Sequence, residues 1–296
     1  MTCYSISTCL MVSDRSFASC VHCLQDYSIT AVLTIDSNEL NDLLCDKHTK
    51  NNKNWKIPHA KFVHMLDEPS FNILTCLEEC VEFIEKFIKN KENVLVHCLA
   101  GQSRSISIVT AYLMKNKHLN LEDALRFIQC IKTDALPNNS FLFQLKLYEI
   151  MNYKIIQTHP IYRSFVTNLQ QNKLLGSSHA WSPLEYNTMN DLLGSAEQTS
   201  PIVYRCQKCR CNLMHSNDTL QIHHKDCTSL YLIDPPDWLK SEMGSNVKGK
   251  IACWRCSTKL GAYSWSGNKC SCGKWVTPAF QIHKSKVDYQ TAKTLK

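Results

Sequence analysis

Residues 97–105 read His-Cys-Leu-Ala-Gly-Gln-Ser-Arg-Ser, and this stretch decides the fold of the first half of the chain. It follows a short segment rich in β-branched residues, Asn93–His97, and precedes an apolar helical segment, Ser105–Lys115. A loop between a strand and a helix presents unpaired backbone N–H groups at the positive end of the helix dipole, where anions bind. Gly101 is the sole glycine in the first 175 residues, and glycine permits the positive φ that lets N–H groups converge. The stretch therefore predicts an anion-binding loop.

Two side chains of this loop indicate chemistry on a phosphate group. Arg104 carries a planar guanidinium that can hold two phosphate oxygens at once. The dipole and this cation favour a thiolate at Cys98, which would take the phosphoryl group as a covalent intermediate. We expect Ser105 to donate a hydrogen bond to the sulfur and His97 to orient the loop and support the thiolate. The other phosphate-binding positions of the loop are Leu99, Ala100, Gly101, Gln102 and Ser103.

The leaving oxygen needs a proton, so this mechanism requires a carboxylic acid on a neighbouring loop. Asp67 is the best candidate, because it follows the strand-like segment Lys61–Leu66 and opens a loop with the sequence DEPSF. Glu68 and Asp36 are weaker rivals for this role. The alternative for Asp67 is an aspartate that only caps a turn, since Asp and Pro both favour turns.

Strand-like and helix-like segments alternate through residues 1–152, which predicts an α/β domain with a central sheet flanked by helices. The candidate strands are Ile29–Ile35, Lys61–Leu66 and Asn93–His97, and the candidate helices are Ile73–Lys89, Ser105–Lys115, Leu121–Ile131 and Phe141–Met151. Residues 153–203 are rich in Ser, Gly, Pro and Gln and predict a linker with short helical pieces. Residues 204–288 predict a small, β-rich, zinc-binding domain, followed by a tail at 289–296.

The composition excludes several classes of protein. The chain has 296 residues, 44% of them hydrophobic, 17 cysteines and a formal net charge of +7. No apolar run reaches the roughly 18 residues of a membrane span, so we expect no membrane partner. We also expect no secretory signal, because the first 15 residues lack a basic segment followed by an apolar block. Without such a signal, the cysteines are more often metal ligands, nucleophiles or core residues than disulfide partners.

Three cysteine pairs in the second half have the spacing of zinc ligands. They are Cys206-x2-Cys209, Cys253-x2-Cys256 and Cys270-x-Cys272. We expect one four-sulfur set made of Cys253, Cys256, Cys270 and Cys272. We expect a second set made of Cys206, Cys209, Cys227 and a fourth ligand, for which His223 is favoured over its near-equal rival His224.

Cys211 is left over in this scheme, and spacing alone does not exclude pairs that interleave between the two sites. The interpretation implies about two structural zinc ions and no cofactor for catalysis. A redox role like that of thioredoxin is disfavoured, because no βαβ pattern surrounds the motifs.

The excess of positive over negative charge is confined to the end of the chain. Residues 1–152 contain 15 Lys/Arg and 17 Asp/Glu, whereas residues 205–296 contain 15 and 6. Such an excess suits RNA or an acidic assembly, although the same residues could form an ordinary solvated surface.

The motif HCLAGQSRS, with VLVHC before it and LPNNSFLFQLKLYE at residues 136–149, resembles the signature of the protein tyrosine phosphatase superfamily, dual-specificity branch. The resemblance covers roughly residues 1–152. It implies the phosphatase fold and hydrolysis of phosphotyrosine and phosphoserine/threonine, with the acid at the position of Asp67. Phosphoinositide phosphatases of the superfamily typically carry lysines in the loop, and their absence here favours a phosphoprotein substrate.

The later segments YRCQKCR (204–210), CWRCSTKLGAYSW (253–265) and CSCGKWVTPAFQIHKSKVD (270–288) resemble the C-terminal module of phosphatases that carry a zinc-binding tail. That resemblance implies a role in maturing large ribosomal subunits, with the zinc module sufficient for it. A pre-ribosomal large subunit or RNA is then a possible partner, and the cytoplasm and nucleus are the expected locations. The second functional hypothesis is therefore an assembly factor whose catalysis is dispensable.

Overall fold

The computed structural model describes residues 2–40, 56–175, 202–215, 219–220 and 227–291. The chain divides into two compact units, the first containing Met1–Ile155 and the second containing most of the later residues. Within the described ranges, no helix combines the length and the hydropathy needed to cross a bilayer.

A five-stranded sheet forms the centre of the first unit. Its strands are β1 (Cys3–Ser7), β2 (Leu10–Ser13), β3 (Ile29–Asp36), β4 (His59–His64) and β5 (Asn93–His97), in the order β1-β2-β5-β3-β4. Strands β2, β5, β3 and β4 are parallel, and β1 is antiparallel to β2. In the register of the sheet, Ser13 and Thr34 both lie opposite His97. The carboxyl ends of three strands therefore meet at one edge, where α/β proteins bind their ligands.

The helices of the first unit are α1 (Arg15–Ala18), α2 (Val21–Asp26), α3 (Leu74–Lys89), α4 (Arg104–Lys117), α5 (Leu121–Ile131) and α6 (Asn139–Ile150). Every residue of α4 from Arg104 to Met114 is buried, so this helix lies in the core. The expected fold class is confirmed, and each candidate strand and helix is present with ends shifted by at most two residues. The hairpin β1–β2 was not predicted, because all four residues of β2 are buried and its sequence shows no alternation.

The second unit is rich in β-structure, as expected. Its strands are β6 (Ile202–Cys206), β7 (Asn212–His215), β8 (Thr219–Leu220), β9 (Ser229–Leu232), β10 (Lys248–Ala252), β11 (Lys259–Ser264), β12 (Asn268–Lys269), β13 (Trp275–Val276), β14 (Ala279–His283) and β15 (Val287–Thr291). They form three sheets, ordered β10-β11-β14-β9-β8, β12-β13 and β15-β6-β7. The ring of Trp265 meets that of Phe280 edge to face at 5.1 Å in the core of this unit.

The second unit also contains the helices α7 (Pro160–Leu175) and α8 (Asp237–Met243). Helix α7 lies in the stretch that the sequence assigns to a linker. Its Thr167 hydroxyl and Arg163 guanidinium are 3.2 Å and 3.5 Å from the Asp234 carboxylate, and Phe165 is fully buried. This helix is therefore packed within the second unit.

Candidate active site and cysteine clusters

The loop between β5 and α4 curls against the end of β2. Gly101 has a φ of +71°, and a Cβ atom at this position would lie 2.8 Å from the carbonyl oxygen of Ser13. The backbone N–H of Arg15 donates to the carbonyl oxygen of Leu99 at 3.2 Å. Both the positive φ and the close backbone approach require glycine, which explains its placement in a domain that otherwise avoids it.

Cys98 lies at the base of this loop and is only 1% exposed. The Gly101 backbone N–H donates to its Sγ at 3.2 Å, and the Ser105 hydroxyl oxygen lies 3.3 Å from the same sulfur. Helix α4 begins at Arg104, so its positive end faces the loop. The Gly101 N–H and the start of α4 thus direct positive partial charge toward the mouth of the loop, where an anion would bind.

His97 is fully buried beside the loop. Its Nε2 lies 2.8 Å from the hydroxyl oxygen of Thr34 on β3. Burial lowers the pKa of His97 to about 4, so the ring is neutral at neutral pH. The contact with Thr34 suits the predicted orienting role, whereas a neutral ring supplies no positive charge to the sulfur.

Arg104 is held by Asp36, a carboxylate predicted from the sequence only as a rival acid. Its Nη1 donates to Asp36 Oδ1 at 2.7 Å and to the Met65 carbonyl oxygen at 3.3 Å. Arg15 donates to the other Asp36 oxygen at 3.0 Å. Burial alone would raise the pKa of Asp36, but the Ser37 backbone N–H and the two arginines outweigh it and lower the pKa. Asp36 is therefore ionised and serves as the anchor of Arg104.

The structure brings Asp67 to the same loop. Asp67 Oδ1 accepts hydrogen bonds from the Ser103 hydroxyl and the Asn138 side-chain amide, both at 2.8 Å. Its other oxygen lies 3.8 Å from Arg104 Nε, and about a third of the side chain is exposed. Asp67 thus combines contact with the loop and access to solvent, whereas Glu68 accepts from Ser70 at 3.4 Å.

A second ionic contact, between a buried lysine and a half-exposed aspartate, borders the loop. The Gln102 side-chain amide donates to Asp134 at 2.9 Å, and Lys132 contacts the same carboxylate at 2.6 Å. Lys132 is 4% exposed and also lies over the Tyr4 ring. This lysine lies outside the loop sequence, and its charge is matched by Asp134.

Among the described residues of the second unit, cysteine sulfurs form two clusters. The first cysteine cluster is Cys206, Cys209, Cys253 and Cys256, and the second cysteine cluster is Cys227, Cys270 and Cys272. The expected pairing of Cys253 and Cys256 with Cys270 and Cys272 is wrong, as is the grouping of Cys206 and Cys209 with Cys227. Each cluster joins cysteines next to strands of different sheets, so the packing of separate sheets sets the grouping, which spacing along the chain does not encode. His223 and His224 lie outside the described residues.

The first cysteine cluster fits a tetrahedral metal ion. The Sγ atoms of Cys206 and Cys256 are 3.7 Å apart, and those of Cys209 and Cys253 are 3.6 Å apart. Zinc–sulfur bonds of about 2.3 Å in a tetrahedron place sulfurs about 3.8 Å apart. Hydrogen bonds from the side chain and backbone of Thr258 lower the pKa of Cys256 to about 6, which favours the thiolate form that metals bind.

Comparison with known proteins agrees with this geometry. The family described as "Dual specificity phosphatase, catalytic domain" matches residues 10–151. "Dual specificity protein phosphatase 12" of Homo sapiens is 35% identical over 296 residues, a match that spans 90% of this chain and 82% of that protein. This chain belongs to the dual-specificity phosphatase family. It is also similar to "Tyrosine-protein phosphatase yvh1" of Schizosaccharomyces pombe, at 34% identity over 80% of this chain and 73% of that protein.

Among solved structures, that of DUSP15 resembles the chain at 26% identity, with a TM-score of 0.45 over 51% of this chain and 90% of that one. The sequence matches establish that the chain is a dual-specificity protein phosphatase, which acts on phosphoproteins.

Two contacts of this phosphatase's site were not predicted from the sequence. They are the contact of Asn138 with Asp67 and that of Asp36 with Arg104. The signal for Asp36 was its place at the end of a strand, at the edge that carries the loop.

Proposed function

We propose that this dual-specificity phosphatase uses Cys98 as its nucleophile. The observation that supports the proposal is the convergence of the Gly101 N–H, the Ser105 hydroxyl and the start of α4 on one sulfur. The thiolate attacks phosphorus, and a phosphorus–sulfur bond forms as the bond to the leaving oxygen breaks. Arg104 and the backbone N–H groups from Leu99 to Ser103 stabilise charge on the other phosphate oxygens.

Asp67 is the proposed general acid of the first step and general base of the second. It donates its proton to the leaving oxygen and later accepts one from the water that attacks the phosphocysteine. Its 2.8 Å contacts with Ser103 and Asn138 support this role, because they hold the carboxyl group beside the loop. In the second step the Ser105 hydroxyl donates a hydrogen bond to the departing thiolate, which makes the sulfur a better leaving group.

A phosphorylated protein side chain is the proposed substrate, with phosphotyrosine and phosphoserine/threonine both accepted. Leu99 in the loop and Leu136, whose backbone N–H donates to Gln102, are 60% and 66% exposed. A polypeptide substrate would cover these apolar side chains, whereas an inositol phosphate would leave them in water. The pairing of Lys132 with Asp134 supports the same choice, since it leaves this lysine without a free charge for a second phosphate.

The test is hydrolysis of an aryl phosphate by the full chain. We expect Cys98→Ser to abolish turnover and Asp67→Asn to slow it about 10²–10⁴-fold, as loss of a general acid does. Cys130→Ser, which changes an exposed cysteine of the same unit, is the control and should leave turnover unchanged. Wild-type turnover by the Cys98 variant would refute the nucleophile, and full activity of Asp67→Asn would move the acid elsewhere.

We propose, as a second function, that the zinc-binding unit directs the protein to the pre-ribosomal large subunit or its RNA, in the nucleus as well as the cytoplasm. The excess of 15 basic over 6 acidic residues in 205–296 supports this proposal. Exposed Trp254 and Trp275, each more than half accessible, offer stacking surfaces for bases.

Complementation of a strain that lacks the protein separates the two functions. Rescue by Cys98→Ser, together with failure of a chain lacking residues 204–296, is the expected result for an assembly factor. The reverse pattern would contradict it and leave phosphatase activity as the essential function.

A further inference from the structure

The first cysteine cluster has a fifth sulfur beside it. Cys211 is 7% exposed, and its Sγ lies 3.4 Å from Cys209 Sγ and 3.4 Å from Cys253 Sγ. A structural zinc ion takes four ligands. The cluster therefore offers one thiol more than a tetrahedral ion can use.

The two cysteine pairs of the cluster sit in turns with the same backbone geometry. In the first turn the Arg210 N–H donates to the Cys206 carbonyl, and the Cys206 N–H donates to the Cys211 carbonyl. In the second turn Ser257, Cys253 and Thr258 make the same two bonds. Arg210 and Ser257 also share a positive φ, of 59° and 56°. Cys211 thus occupies the position in the first turn that Thr258 occupies in the second.

The equivalent side chains make equivalent contacts but differ in chemistry. The hydroxyl oxygen of Thr258 lies 3.4 Å from Cys256 Sγ, as Cys211 Sγ lies 3.4 Å from Cys209 Sγ. A threonine hydroxyl can only support the neighbouring thiolate from outside the metal's ligand shell. A cysteine in that place is itself a preferred zinc ligand.

We propose that Cys211 is an interchangeable ligand of the first cysteine cluster, able to take the zinc position of Cys209. The inference rests on the binding of zinc by that cluster. Cys209 is the ligand replaced, because it belongs to the same turn and is partly exposed, whereas Cys253 and Cys206 are buried. The resulting set is Cys206, Cys211, Cys253 and Cys256.

The exchange needs no oxidant. The Cys211 thiol loses its proton to solvent as its sulfur binds the ion, and the displaced Cys209 thiolate takes a proton from solvent. The ion keeps four thiolates and the same charge throughout.

The test compares zinc affinity among full-length variants under reducing conditions, by competition with a chromophoric chelator and by elemental analysis. We expect Cys209→Ser to keep its zinc with an affinity within about tenfold of wild type. The matched variant Cys256→Ser has Thr258 in place of a spare thiol. It should lose the ion from this cluster. We expect its zinc affinity to fall more than the roughly 10–100-fold that loss of an outer-shell partner causes. The double variant Cys209→Ser/Cys211→Thr should lose it as well, while Cys211→Thr alone should bind like wild type.

Cobalt(II) provides a second readout, because the intensity of its thiolate charge-transfer absorption reports the number of sulfur ligands. Cys209→Ser should retain the four-thiolate intensity, and the double variant should not. Adding Thr258→Cys to Cys256→Ser should restore it, since that change creates a spare thiol in the second turn.

Equal loss of zinc in Cys209→Ser and Cys256→Ser would overturn the proposal. Failure of Cys209→Ser to fold in excess zinc, or a double variant no weaker than the single one, would overturn it too. A wild-type chain that bound no zinc at the first cluster would refute zinc binding itself, and with it the exchange, while the proposed phosphatase chemistry would stand.

Discussion

Asp36 is a buried carboxylate that holds the phosphate-binding arginine, Arg104, in position. Its side chain is 3% exposed and joins Arg104 at 2.7 Å and Arg15 at 3.0 Å. Removing one partner of a buried pair leaves the other charge uncompensated, which costs about 3–5 kcal/mol. The ion pair with Asp36 therefore fixes one end of the Arg104 guanidinium and keeps this group beside the loop.

Asp36→Asn is expected to weaken both the fold and the reaction. We expect kcat/KM for an aryl phosphate to fall about 100-fold, because a small misplacement of a charged group costs that much. The free energy of unfolding should fall by about 3 kcal/mol. Steady-state kinetics, vanadate inhibition and urea unfolding would measure these effects.

Asp123→Asn is the control, since it removes an exposed carboxylate paired with Arg126 at 3.4 Å. Surface pairs of this kind contribute about 1 kcal/mol or less. Normal kcat/KM and vanadate inhibition in Asp36→Asn would show that Asp36 does not position Arg104.

His97 makes stability depend on pH. The unfolded chain binds a proton at this residue near pH 6.5, whereas burial lowers the pKa in the folded protein to about 4. Acidification from pH 6.5 to 4 therefore favours the unfolded state, and the loss should approach about 3 kcal/mol.

Urea unfolding of wild type and His97→Gln across this pH range would measure the difference. The variant should lose less stability on acidification, because Gln does not titrate. Parallel curves for the two proteins would contradict the assignment of the pH dependence to His97.

At the scale of elements, the approach of the β5–α4 loop to the end of β2 depends on Gly101. Gly101→Ala should destabilise the protein by more than about 1 kcal/mol and reduce phosphatase turnover, because its Cβ would meet the Ser13 carbonyl oxygen at 2.8 Å. Gly244→Ala is a matched control, since Gly244 also has a positive φ but has open space around it. Unfolding curves and turnover rates should separate the two, and equal behaviour would argue against the backbone contact.

The start of α6 links helix capping to the proposed acid. Asn138 Oδ1 accepts from the Phe141 N–H at 2.9 Å, while its Nδ2 donates to Asp67. Asn138→Ser keeps a capping oxygen but loses the amide donor, so we expect little change in stability, about 0.5 kcal/mol, and a roughly tenfold lower kcat.

Asn120→Ser provides the comparison, because Asn120 caps α5 in the same way without contacting Asp67. Kinetics and thermal unfolding of both variants would show whether Asn138 affects kcat beyond its role as a helix cap. Equal kcat values in the two would show that Asn138 acts only as a helix cap.

At the scale of the whole molecule, the two units differ in the structures that stabilise their folds. The first unit holds a sheet covered by buried helices, whereas the second has short strands and two cysteine clusters. Small domains with thin cores depend on metal for stability. Among the described residues tryptophan occurs only in the second unit, and Trp265 is buried there.

We expect the second unit to bind zinc, so a strong chelator should unfold this unit selectively. We expect tryptophan emission to shift to longer wavelength as Trp265 meets water, while aryl phosphate turnover persists. Readdition of zinc should reverse the shift. Loss of turnover together with the shift would show that the first unit also depends on the metal.

The sequence by itself determined the phosphate loop and the elements of the first unit from β3 onward, because the information for them is local. A strand, a contiguous anion-binding motif and a helix follow one another, and hydrophobic periodicity located α3 and α5 to within one residue. The position of Asp67 after a strand was local information too.

Only the tertiary structure decided which distant residues meet. Asp36 joins Arg104, and Asn138 joins Asp67, because parallel strand ends and a helix start converge at one edge of the sheet. The cysteine pairs interleave because separate sheets pack together, so their packing rather than spacing along the chain sets the distances between sulfurs. Spacing along a chain records how far apart residues are in sequence, and a binding site depends on how far apart they are in space.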